Sequence, residues 1–142
     1  MRGIRWSLPV LVLLASTGRA GSVAPDLRPG VTSAGADARI PVVVLMEAFP
    51  DGKRMLDDVR GMTRERRREH TVRALKALAE RSQAPVRAVL AEDPGAHGAR
   101  VLWGVNGIAL TVTPDTIARL AALPEVRWVL HDGGRGEPAG GV

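Results

Sequence analysis

The side chains of this 142-residue chain best suited to acid–base or metal chemistry are three histidines, His70, His97 and His131, and their spacing supports neither role. No two of them stand four apart on one helix, HExxH is absent, and there is no cysteine to add a thiolate ligand or nucleophile. His131 and Asp132 are neighbours in a strand-like stretch, where successive side chains point to opposite faces, so they cannot act as an acid–base pair on one substrate. No serine stands in a GxSxG elbow, and no GxxxxGK[ST] loop is present to hold a phosphate. The expectation is a protein that is not an enzyme, with no metal and no cofactor.

The basic cluster of Arg64, Arg66, Arg67 and Arg68, extended by Arg73, Lys76 and Arg81, raises the question of nucleic acid. Glu65, Glu69 and Glu80 interleave with it, and Glu69 stands four residues before Arg73, the spacing of a helical ion pair. A solvated helix face is the expected role, and no nucleic-acid partner is expected. The aromatic content is only 3%, and of the three tryptophans only Trp103 and Trp128 lie in strand-like sequence where bases could stack. Packing is the expected role of both.

Those residues must be positioned by a fold, and its limits can be read along the chain. Arg2 and Arg5 precede an apolar run from Trp6 to Ala15, followed by Ser16, Gly18 and Ala20. Charged, apolar and small-residue regions in that order are those of a secretory signal peptide. The apolar run is about half the ~20 residues that a membrane helix needs. Residues 1–20 are therefore expected to be removed after Ala20, leaving a secreted or periplasmic protein with no stable membrane association. Cleavage after Ala24 is the alternative, with Pro25 then following the cut. The formal charge of +5 includes Arg2, Arg5 and Arg19, so removal leaves 17 basic against 15 acidic residues, a net charge of +2. With no disulfide available, a domain of this size depends on its apolar core alone.

Residues 21–39 are small, with Pro and Gly and without apolar period, and predict a flexible leader; residues 133–142 predict a flexible tail. The ordered domain is expected over residues 40–132. Residues 40–46 (IPVVVLM) predict a buried strand. Residues 63–83 predict a helix with Val72, Leu75, Leu78 and Ala79 on its apolar stripe, ended by Pro85. Residues 86–91 predict a second strand, and residues 92–95 (EDPG) a turn. Residues 100–112 (RVLWGVNGIALTV) predict one bent strand, with a tight hairpin at Asn106-Gly107 as the alternative. Thr113, Pro114 and Asp115 have the chemistry of a helix start, with Ile117, Leu120 and Ala121 facing inward, and residues 126–130 predict the last strand. The order β-α-β-β-α-β predicts an α+β fold of the ferredoxin-like kind, a four-stranded antiparallel sheet with two helices on one face.

Once that order is laid out, several stretches resemble the propeptide and proteinase-inhibitor domains of subtilisin-type serine proteases. The run WGVNGIALTVTP from Trp103 to Pro114, then Ile117 to Leu120, then LPEVRWV from Leu123 to Val129, is similar to the second half of those domains. Val42 to Met46 and the ERSQAP stretch from Glu80 to Pro85 are similar to the first half. The likeness spans residues 40–132 and rests on order and spacing together. It implies binding and inhibition of a subtilisin-like serine protease, as a trans-acting inhibitor, a folding chaperone or an orphan propeptide. The open sheet face, with Trp103, Val105, Ala109 and Thr111, would meet the protease. Asp132 matches a family position that caps a protease helix, whereas Leu130 departs from the pattern at the neighbouring one. Gly133, Gly134, Arg135, Gly136, Glu137 and Pro138 would run along the protease cleft, although they lack the bulky apolar residue such tails usually carry. With no protease sequence following before Val142, the expectation is either a stand-alone inhibitor acting in trans or a propeptide remnant whose enzyme lies on another chain or has been lost. A non-inhibitory interaction or small-ligand module on the same fold is the alternative.

Overall fold

Residues 40–46 alternate between complete burial at Val42, Val44 and Met46 and partial exposure at Val43 and Leu45, the period of two that a strand imposes. The computed structural model describes residues 21–133 and contains, among them, five strands and five helices. In chain order these are β1 (Ser22–Val23), α1 (Arg28–Ser33), β2 (Ile40–Met46), α2 (Gly52–Asp58), α3 (Arg64–Ser82), α4 (Ala84–Ala91), β3 (His97–Leu102), β4 (Gly107–Val112), α5 (Pro114–Ala121) and β5 (Val126–His131). The protein is α+β. Its single mixed sheet has the order β1-β5-β2-β4-β3, with β1 parallel to β5 and every other pair antiparallel.

One face of the sheet carries the core. A continuous row crosses all five strands, Val23 to Val129 to Val44 to Ile108 to Val101, and Val42 beside Leu110 forms part of the next. Onto these rows pack Leu27 from the approach to α1, Val86 from α4, and Ile117 and Leu120 from α5. Ile117 and Leu120 are completely buried, and a side chain of that size gains ~1.5–3 kcal/mol on leaving water. The start of α5 is built as expected: the Thr113 hydroxyl accepts from the Thr116 amide at 3.3 Å, and Pro114 fills the first turn.

Several expectations are corrected. Residues 21–39 are not a loose leader: β1 extends the sheet, the Ala24 amide donates to the Val129 carbonyl at 2.9 Å, and Ala24 and Leu27 are buried. The reason lies in spacing, since Val23, Ala24 and Leu27 supply enough apolar surface only when β5 is already there to receive them. Gly21 lies so close to β5 that a Cβ would stand 2.5 Å from the Val126 carbonyl oxygen. Residues 86–91 form the helix α4 and not a strand. Val86, Val89 and Leu90 follow a three-to-four spacing, and Pro85, which stops α3, sits in the first turn of α4 where its missing N–H costs nothing.

Residues 97–112 form a hairpin and not one bent strand; β3 and β4 are joined by the four residues 103–106. Asn106 closes that turn in the left-handed region at φ 48°. The helix α2, absent from the sequence reading, is started by Asp51, whose carboxylate accepts from the amides of Lys53 at 3.0 Å and Arg54 at 3.1 Å. The four-stranded, two-helix count therefore becomes five and five among the described residues.

Candidate partner-binding face

The face of the sheet opposite the core contributes nothing to the core cluster. Register places its residues in two rows. The first runs Leu130, Val43, Ala109, Arg100; the second runs Ser22, Trp128, Leu45, Gly107, Leu102. Thr111, opposite Pro41, belongs to the same face. Val43, Leu45, Leu102 and Leu130 are half-buried and Trp128 is 37% exposed, so a β-sheet surface rich in branched and aromatic side chains is open to solvent. Apolar surface of this continuity is characteristic of a contact site. Arg100, at the β3 margin, is the charge its rows carry.

Of the residues expected on this face, Ala109 and Thr111 lie on it by register, but Ala109 is buried at 5% exposure and only Thr111 is partly open. Trp103 and Val105 are not; both lie in the β3–β4 turn. Trp103 leans toward α3, where the Lys76 ammonium stands 5.9 Å from its ring centre, a cation–π contact, and it lines a shallow cleft with Val101, Ala79 and Arg87. Val105 is half-exposed at the turn apex. The strand alternation expected to carry them stops at Leu102, because Gly104 and Asn106 bend the chain before Gly107.

Asp132 follows the end of β5 and remains tied to the sheet, its amide donating to the Pro41 carbonyl at 3.0 Å. Gly133, the last described residue, is exposed. Gly134, Arg135, Gly136, Glu137 and Pro138 lie outside the described residues. The contributions of Val43, Leu45, Trp128 and Leu130 were missed in the sequence, where Trp128 read as packing. Strand geometry puts Val43 and Leu45 opposite Val42, Val44 and Met46, but the unbroken apolar run IPVVVLM gives no sign of which side is covered.

The turn itself is anchored by a buried polar cluster. The Asn106 amide nitrogen donates to the Ala48 carbonyl at 2.6 Å and to the Ser82 hydroxyl at 3.0 Å, and its oxygen accepts from Gln83 Nε2 at 3.1 Å. Gln83 also donates to the Gly107 carbonyl at 3.2 Å and is completely buried. These bonds fix the hairpin against the α3–α4 junction. Gln83 Oε1 is buried without a hydrogen-bond partner among the described residues; the other groups of the cluster are paired, and each partner lost would leave a further unsatisfied group.

Glu69 and Arg73 form the i,i+4 pair at 2.6 Å, both largely exposed, and such pairs contribute ~0.3–0.5 kcal/mol. Among the described residues no group of three or more His, Asp or Glu side chains is gathered to hold a metal ion. No helix among them is long and apolar enough to cross a membrane. His131 and Asp132 are brought together only as chain neighbours. Comparison with family models, with curated proteins and with solved structures finds no match for this chain in any of the three.

Proposed function

We propose that the chain is an exported protein whose residues 40–132 form a ferredoxin-like unit of the subtilisin-propeptide kind, and that it binds and inhibits a subtilisin-like serine protease. The order β5-β2-β4-β3, antiparallel throughout, with α3 and α4 in one crossover and α5 in the other, supports the ferredoxin-like reading. Here β1 and α1 are additions on the β5 side, and α2 is an insertion before α3.

The observation that carries the functional reading is the open apolar face of Val43, Leu45, Trp128 and Leu130, adjoining the point where Asp132 and Gly133 leave the sheet. A partner covering that face would also receive the departing chain, whose backbone can pair with an extended cleft in the manner of β-augmentation. Asp132 offers a carboxylate at that junction, and a carboxylate at a helix N-terminus is worth ~0.3–1 kcal/mol.

The test is inhibition of a panel of subtilisin-like proteases by the purified protein, alongside Val43→Arg, Asp132→Ala and Val105→Arg. Val43→Arg should abolish inhibition while leaving the circular dichroism spectrum unchanged, because a cation would be buried unpaired in the contact. Asp132→Ala should weaken it by only a few-fold, and Val105→Arg, placed on the turn, should leave most of it intact. A folded wild-type protein that inhibits no protease of the panel at micromolar concentration would overturn the proposal.

A further inference from the structure

Asn106 and Gly107 are each required by the fold for an independent reason. Asn106 adopts φ 48°, a region that asparagine tolerates better than most residues, and its amide supplies both donors and acceptor to the buried cluster described above. Gly107 sits where a Cβ would stand 2.9 Å from the Val44 carbonyl oxygen and 3.0 Å from the Leu45 side chain. The contact with Val44 is with backbone in the centre of the sheet and cannot give way cheaply. The fold thus demands Asn followed by Gly.

That pair is also the one most open to self-modification. A backbone nitrogen unshielded by a Cβ on its own residue can reach the preceding side-chain amide. We infer that Asn106-Gly107 is a fold-guarded deamidation site, at which loss of the native turn leads to a covalent change that prevents its return. The Gly107 amide nitrogen, giving its proton to solvent base, bonds to Cγ of Asn106. The bond from Cγ to Nδ2 breaks, and the nitrogen leaves as ammonia. Water then opens the five-membered imide at one carbonyl or the other, leaving aspartate or isoaspartate at position 106. Water is the only co-reactant.

The native structure opposes the first step. Attack requires the Asn106 amide to turn toward its own backbone, away from Ala48, Ser82 and Gln83, and Asn106 is 2% exposed. The reaction therefore proceeds from the opened turn, whose population is set by local stability. The product cannot resume the old place. A carboxylate has no proton with which to donate to Ala48 or Ser82. It would face the Ala48 carbonyl oxygen across a contact that measures 2.6 Å in the native state, a buried charge beside a lone pair. Isoaspartate would in addition lengthen the backbone of a turn that Leu102 and Gly107 hold in register. The hairpin once opened for long is retired and does not re-form, whatever partner the domain serves.

The full chain tests this directly. Identical samples are kept at mildly alkaline pH, one folded and one unfolded in urea, and position 106 is followed by peptide mass and isoaspartate content. The folded sample should deamidate more slowly by on the order of a hundredfold, the ratio expected when only the opened state reacts. Ser82→Ala, which removes one partner of the amide, should raise the folded-state rate several-fold while leaving the unfolded rate unchanged. On return to buffer, chains retaining Asn106 should recover the native melting transition and deamidated chains should not; Asn106→Asp should melt at a lower temperature than the wild type. Equal rates in the folded and unfolded samples, or deamidated chains that recover the wild-type transition, would overturn the inference.

Discussion

Asp93 receives the Gly95 amide at 2.7 Å on one carboxylate oxygen and the Thr116 hydroxyl on the other, so a residue in the loop after α4 is joined to the first turn of α5. The Thr116 hydrogen bond and then the Gly95 amide hold its pKa below the usual carboxylate value of 3.8, outweighing the opposing effect of burial, with the Arg39 guanidinium a weaker contributor in the same direction. A depressed carboxylate stabilises the fold above its unfolded-state pKa, and that stability is lost as the pH falls through the lower folded-state value. Thr116→Val, which keeps the shape but removes the hydroxyl, should lower the melting temperature at neutral pH. The gap from the wild type should narrow as the solution is acidified through that range. A gap that is constant with pH would mean that Thr116 acts through packing alone.

The helices divide sharply by what they bury. In α5, Ile117 and Leu120 are completely inaccessible, whereas the 19 residues of α3 bury only Ala79 fully, and Leu75 and Leu78 stay half-exposed. The sequence reading placed Leu75 and Leu78 in the core together with Ile117 and Leu120. Only the second pair is there. Leu120→Ala should cost ~2–5 kcal/mol, the range for a leucine removed from a packed interior. Leu75→Ala should cost distinctly less, since solvent already reaches the site. Both are measured by urea unfolding, and equal losses would show that α3 shares the core to the same degree as α5.

On the scale of the molecule, the sheet is closed on one side by β1 and α1, which come from sequence with few apolar residues. Val23 pairs with Val129, Ala24 donates its amide to β5, and Leu27 is 2% exposed within the core. A chain lacking residues 21–33 should unfold at a markedly lower denaturant concentration than one starting at Gly21, because it loses a buried leucine and uncovers the β5 edge. An unchanged midpoint would show that these residues rest on the domain without supporting it.

What the sequence determined by itself was local. The strand at residues 40–46, the Thr113 cap with Pro114 behind it, the apolar stripe of α5 and the Glu69–Arg73 pair all depend on residues within one or two turns of each other, and each is found in the structure. The α+β class followed from the order of such segments. Four features required the tertiary structure. Residues 86–91 have apolar side chains that suit strand or helix, and their place against α5 and the core selects the helix. The segment 21–33 gains order only by pairing with β5, nearly the whole domain away in sequence. The open face is also beyond a local reading, because which side of β4 is covered depends on where the helices pack. Trp103 turned toward Lys76 for the same kind of reason: the chain bends at Gly104 and Asn106, and Asn106 is held there by Ala48, Ser82 and Gln83, partners more than twenty residues away in sequence.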